Sequence, residues 1–292
     1  MEPTRKPEIF PSGQDDDPDA LRAWRPWVVE EPDGTLKMWY SGSDGTSSRI
    51  LFAVRSPGGA WERRGAVVEP GFAGDDDSYG AESPCVVKTP GGYLMIYGGF
   101  DGEVTRLIAA TSNDTGEWVS QGTILQRGPE DARSATDPCL VITAERWWLF
   151  FTAHSDSQGG GHPSLVAAVS ETGASWDRLG PVLEPEAGEV TISHPCVVDI
   201  ARTFWMLYAS EDAAETSIAL ATSSDGMSWN RRGTVLAPGD HGPGTRSVHS
   251  PCAVKLQDGS LRMWYAAIRE KDQELGYRIS SVLLSSREGD AK

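Results

Sequence analysis

Positive charge is scarce in this chain. Its 292 residues hold 26 Lys and Arg against 42 Asp and Glu, a formal net charge of −16. Such a surface repels polyanions, so neither nucleic acid nor an anionic membrane is expected as a partner. Long apolar runs are missing too. No stretch approaches the ~20 residues that a spanning helix needs. The opening residues, "MEPTRKPEIFPSG", lack the apolar core of a secretory leader, and the chain reads as cytoplasmic. No segment repeats apolar residues at helical spacing, which speaks against an α or α/β fold. Cysteine is limited to four, at positions 85, 139, 196 and 252. Intervals of 54, 57 and 56 residues do not fit the closely paired ligands of a structural zinc site.

What is present is a repeat. Every cysteine follows a proline, in "SPCVVK", "DPCLVI", "HPCVVD" and "SPCAVK", and "RPWVVE" supplies a fifth copy with Trp27 in the cysteine position. Cysteines at one equivalent position of a repeat read as small buried core residues rather than disulfide partners. An aromatic residue follows each proline by 13 or 14 positions: Tyr40, Tyr97, Phe151, Tyr208 and Tyr265. Third and fourth segments form hairpins such as "IALATSSDGMSWNRRGTVLAPG", with turns ending at Trp61, Trp118, Trp176 and Trp229. Short runs of Val, Ile and aromatics divided by "DG" and "GG" turns are strands.

Five four-stranded units predict an all-β, five-bladed β-propeller. The expected blades cover about 20–71, 80–128, 135–185, 192–239 and 248–285, all in one domain spanning 1–292. The last unit lacks a fourth strand, and "PEIFPSG" near the N-terminus echoes the fourth strands "AVVEPG" at 66–71 and "TVLAPG" at 234–239. Residues 5–11 are therefore expected to complete the last blade and close the ring, leaving no free edge.

Connections on one face are short, while those leading into the Pro-Cys strands are long and polar, as in "FAGDDDSYGAE" and "GDHGPGTRSVHS". Function collects on such loops. The acidic runs "DDDPD" and "DDD" lack the oxygen spacing of a calcium loop and read as solvated charge. "SSDGMSW" at 223–229 reads as a structural turn. Before each proline the repeat breaks down. Those pairs are Trp24-Arg25, Glu82-Ser83, Thr136-Asp137, Ser193-His194 and His249-Ser250. Near-identical strands carrying different residues at one position predict a single asymmetric site at the mouth of the axial funnel.

Glu82 and Asp137 are the candidate catalytic carboxylates, one to move a proton and one to support the reacting carbon or activate water. A structural alternative pairs Glu82 with Arg25 and makes Asp137 a cap for its strand. His194 is a third catalytic candidate. Trp24, Arg25, His249, Ser83 and Ser250 are placed as substrate-binding residues, with Arg133 and Arg246 as further grips for an anionic group or as loop ion pairs. His194 and His249 could also join Glu82 or Asp137 around a divalent metal, but no spacing signature supports one, so no metal and no cofactor is expected.

The pattern of Pro-Cys strand, aromatic strand and "ATSxDGxSWxRxGxVLxPG" hairpin resembles the five-bladed propellers of the furanosidase superfamily, glycoside hydrolase families 43, 32 and 68. That resemblance implies a catalytic Asp before the first-blade proline, a second supporting Asp and a Glu acting as acid. Asp137 in "TDP" is similar to an Asp-Pro position and Glu82 in "AESP" to a Glu-x-Pro position, whereas "WRP" puts Arg25 where the first Asp is implied. The sequence thus points to an enzyme acting on a small glycoside or sugar-derived metabolite by hydrolase-like acid/base chemistry. Its rivals are a phosphorylase resembling family 130, a lyase or isomerase, and a non-catalytic sugar-binding propeller. Nothing in the sequence bears on oligomeric state.

Overall fold

The computed structural model describes residues 2–3, 8–10, 13–14, 16–113, 117–155, 162–242, 245–269 and 277–285. Two short strands, β1 (Glu2–Pro3) and β2 (Glu8–Ile9), open the chain. Antiparallel ladders follow. The first comprises β3 (Arg22–Glu30), β4 (Leu36–Ser43), β5 (Ser48–Arg55) and β6 (Glu62–Val68). The second comprises β7 (Gly80–Thr89), β8 (Gly92–Phe100), β9 (Thr105–Ser112) and β10 (Trp118–Thr123). The third comprises β11 (Ser134–Ile142), β12 (Trp147–His154), β13 (Ser164–Ser170) and β14 (Asp177–Leu183). The fourth comprises β15 (Thr191–Ile200), β16 (Thr203–Glu211), β17 (Thr216–Ser223) and β18 (Asn230–Leu236). The last holds β19 (Thr245–Lys255), β20 (Leu261–Arg269) and β21 (Arg278–Ser285).

The N-terminal strands add to β21: Glu8 and Ile9 pair with Ser281 and Ser280, and Glu2 and Pro3 with Ser285 and Leu284. The rest of the expected 5–11 strand lies outside the described residues, apart from Phe10, whose N–H bonds to the Ile279 carbonyl. One departure from the all-strand expectation is a single helical turn, α1 (Pro238–His241). Pro238 starts it with its φ already near helical values, and the Asp240 carboxylate accepts the Ala237 N–H at 2.9 Å.

First strands of successive ladders lie side by side: β3 against β7, β7 against β11, β11 against β15, β15 against β19, and β19 against β3. The cysteines explain this contact. Each Sγ accepts a backbone N–H from the neighbouring first strand: Cys85 from Leu140 at 3.1 Å, Cys139 from Val197 at 3.2 Å, Cys196 from Ala253 at 3.2 Å and Cys252 from Val28 at 3.3 Å. Trp27 makes the remaining link, donating its Nε1 to the Val86 carbonyl at 2.7 Å. All four thiols are free and buried, as the repeat implied. A small residue is needed there for close approach, and sulfur satisfies a donor that a methyl group would orphan. Cys139→Ala should therefore cost about 1–3 kcal/mol through the stranded Val197 N–H. Urea unfolding measures it, and an unchanged midpoint would show that the thiol is only filler.

The repeated second-strand aromatics anchor the long loops. Tyr40 donates to Asp19 at 3.0 Å, with Arg63 2.9 Å from the same carboxylate. Tyr97 donates to Asp77 at 2.6 Å. Arg231 donates to the Tyr208 hydroxyl and pairs with Glu189, both at 2.9 Å. Arg178 lies over Phe151 and pairs with Asp131 at 2.9 Å. His241 Nδ1 meets the Tyr265 hydroxyl at 2.6 Å. Asp19 and Asp77, expected as solvated charge, are buried. Gly99 makes room for one of them, since a Cβ there would lie 2.8 Å from the Asp77 side chain.

Candidate active site

Each first strand carries a bulge, with the register shifting between Trp24/Trp27, Glu82/Cys85, Thr136/Cys139, Ser193/Cys196 and His249/Cys252. Within it the residue before proline adopts a left-handed backbone: φ is 52° at Arg25, 57° at Ser83, 54° at Asp137, 56° at His194 and 53° at Ser250. For non-glycine residues this conformation costs about 1–3 kcal/mol each, and such strain concentrates where side chains must be aimed. Here all these residues converge. With the prolines that follow them they line a cavity of about 30 Å³, room for a water or two, which Trp27 borders.

Arg25 organises the floor. Its Nη1 is 3.0 Å from Glu82 Oε1, its Nη2 is 3.2 Å from Asp137 Oδ1, and Nη1 also bonds Ser83 Oγ. Ser83 Oγ donates to Asp137 Oδ1 at 3.0 Å, and Thr136 Oγ1 to Asp137 Oδ2 at 3.0 Å. Burial on its own would protonate Asp137, but the Arg25 charge and then His194 outweigh it and hold the carboxyl well below the usual carboxylate range. For Arg25, burial opposes its charge, and Asp137 and Glu82 more than compensate.

At neutral pH His194 and His249 are uncharged. Burial brings His194 down to about 4, against the opposing pull of Asp137 3.6 Å from its Nε2. Burial likewise takes His249 well below the ordinary histidine range, with His194 and Arg25 adding to it. Their rings lie 5.2 Å apart, and each Nδ1 meets a neighbouring hydroxyl at 2.7 Å, Ser193 Oγ for His194 and Ser250 Oγ for His249. His154, which the sequence did not single out, is also lowered by burial and meets Thr136 Oγ1 at 3.4 Å.

Above this floor opens a cleft of about 530 Å³, within the range of small-ligand sites. Trp24, Arg25, Glu82, His194 and His249 line it. Ser83 and Ser250 lie beneath it, around the small cavity. Arg133 and Arg246 are outside the lining and exposed, Arg133 just before β11 and Arg246 at the start of β19. Residues that sequence reasoning missed include Tyr277, whose ring meets His249 edge-on at 4.5 Å, and Glu211. A signal for the second kind exists: three positions past each second-strand aromatic stand Ser43, Phe100, His154, Glu211 and Ile268, as unrepeated as the pre-proline residues. Among the described residues no group of three or more His, Cys, Asp and Glu is arranged to hold a metal ion.

This all-β architecture, consistent with a propeller, is a fold shared with solved glycoside hydrolases. Similar solved structures include a thermostable family-43 glycoside hydrolase, with a TM-score of 0.79 and 14% identity over 97% of this chain and 94% of that one. A structure from the family 130 of mannoside phosphorylases, described as containing hydrolases of β-1,2 mannosidic linkages, matches at 0.70 and 16% over 95% and 92%. Sucrose-6-phosphate hydrolase from Lactobacillus gasseri matches at 0.74 and 12% over 91% of this chain and 59% of its own. At such identities the fold is what is shared. No protein-family model and no curated protein matches the chain.

Proposed function

We propose that the ladders are the blades of one five-bladed propeller over residues 1–292, its ring completed by the N-terminal strand on β21, and that the chain is a carbohydrate-active enzyme. Its substrate is a small glycoside or sugar-derived molecule bound in the cleft. One observation carries this reading: strained backbone at equivalent bulges aims an unrepeated Arg25–Glu82–Asp137 cluster at the floor of a ligand-sized cleft. Uniform strands would bind a repeated ligand, and these do not present a repeated surface.

In this reading Asp137, held ionised, stabilises positive charge developing at the anomeric carbon. Glu82, 23% exposed and bordering the cleft, exchanges a proton with the attacking or leaving oxygen. Arg25 fixes both carboxylates, and the neutral His194 and His249 add polar edges without adding charge. Arg25 occupies the position where the sequence resemblance implies an Asp, and its two terminal nitrogens are already taken by carboxylates. It therefore has little left for inorganic phosphate, which favours hydrolysis over phosphorolysis. The test is a panel of chromogenic aryl glycosides and disaccharides with and without phosphate. Glu82→Gln and Asp137→Asn should each lower kcat at least ~100-fold on whichever substrate the native chain cleaves. Unchanged turnover in both variants overturns the assignment, and a strict phosphate requirement replaces hydrolysis by phosphorolysis.

A second reading has one observation in its favour. Arg25 locks both carboxylates, as a sugar-binding propeller without turnover would tolerate. Calorimetric binding of a sugar that is never cleaved would select it.

A further inference from the structure

The cleft holds a third carboxylate, and its surroundings differ from those of the other two. Glu211 ends β16, where it pairs with Thr191 of β15 and with Thr216 of β17. Alternation along the strand puts Ala209 and Glu211 on one face, and both border the cleft. Ala209 is small, so the space in front of Glu211 is not filled from its own strand. Glu82 borders the same cleft from the second ladder.

Partners separate the three acids. Glu82 and Asp137 both contact Arg25. Glu211 makes no ion pair and no side-chain hydrogen bond among the described residues, and it is only partly exposed. A general acid must be free to reach the oxygen it serves, and the Glu82 and Asp137 oxygens that face Arg25 are already engaged. Register gives a second argument. The strand-end positions equivalent to Glu211 are Ser43, Phe100, His154 and Ile268, each opposite the start of its own first strand. In this ring of unrepeated residues only one is an acid, and it faces the cleft.

We propose that Glu211 is a further catalytic residue: the general acid that protonates the leaving oxygen, working across the cleft from Glu82. The inference rests on the glycosidase reading above. As the bond between the anomeric carbon and the glycosidic oxygen breaks, its electron pair stays with that oxygen, which takes the Glu211 proton. Water adds to the anomeric carbon and gives its proton to Glu82, while Asp137 faces the transient positive charge. Proton exchange with solvent then resets both carboxyls, so the net reaction is hydrolysis.

Leaving-group chemistry tests this. For the sugar that the native chain cleaves, two aryl glycosides are compared, one with a 2,4-dinitrophenyl group and one with a phenyl group. A dinitrophenolate departs without a proton, and a phenolate does not. Glu211→Gln should lower kcat on the phenyl glycoside at least ~100-fold while changing the dinitrophenyl glycoside less than ~10-fold, with the high-pH limb of the kcat profile lost. Since the Glu211 side chain has no polar partner to lose among the described residues, the thermal midpoint of the variant should match the native chain. Equal losses on both substrates, or no loss on either, overturn the proposal. If Glu82→Gln and Asp137→Asn abolish turnover while Glu211→Gln does not, this inference falls and the glycosidase reading stands. If the native chain cleaves no glycoside at all, both fall.

Discussion

Replacing Arg25 by alanine should destabilise the protein by about 3–5 kcal/mol, among the largest effects expected of any single substitution here. The reason lies in what remains. Asp137 is 6% exposed in its side chain, sits among Ser83, Thr136 and His194, and relies on Arg25 for its counter-charge. Taking away the guanidinium leaves a sealed carboxylate with hydroxyls and neutral imidazoles for company, and hydroxyl dipoles do not replace a full charge. Such a site answers by drawing in water or by protonating, and either response costs stability. Asp137→Asn in the Arg25→Ala background should return a large share of the loss, because an amide can keep the Ser83 and Thr136 contacts without a charge. The comparison of single and double variants by urea unfolding at neutral pH makes the coupling explicit. If Arg25→Ala shifts stability by less than ~1 kcal/mol, the floor is hydrated rather than sealed.

Acidification should weaken the fold in two stages, and the first belongs to the histidines. His194 titrates at about 4 in the folded chain, against an ordinary value of 6.5. A depressed histidine means that the unfolded chain binds the proton first. Its contribution is fully present above about 6.5, is lost as pH falls, and levels off below about 4. The loss by pH 4.5 is on the order of 2 kcal/mol for this residue alone. His249 and His154 shift in the same direction and add to the slope. Asp137 acts in a different window. Its folded value is also depressed, so its stabilisation is present above the unfolded carboxylate range and declines only as pH drops below it. Unfolding free energies of native chain and His194→Asn at pH 7 and pH 4.5 separate these contributions. The variant should lose about 2 kcal/mol less than the native chain over that interval. Parallel losses in the two proteins would mean that His194 is protonated as easily in the fold as outside it.

The sequence by itself determined the strands, their grouping and the face on which the candidate site lies. Those properties are local: Pro-Cys phrases, an aromatic at fixed distance and Asp-Gly turns recur with a period that needs no partner to be read. It also isolated the unrepeated residues before each proline, because a difference is visible against a constant background. Only the tertiary structure decided how those residues pair. Arg25, Glu82 and Asp137 are more than fifty positions apart in succession, so whether Arg25 serves a substrate or binds both carboxylates depends on how neighbouring ladders are set together. The same holds for the cysteine thiols that bond across first strands, and for Asp19 and Asp77, whose acidic runs look solvated until Tyr40 and Tyr97 reach them. Glu211 stands in a position as variable as the pre-proline sites, but only its place in the cleft, with no ion pair among the described residues, gives it the role proposed above. Local pattern fixes which backbone a residue belongs to; the charge and reach of its side chain take their meaning from neighbours a full ladder away.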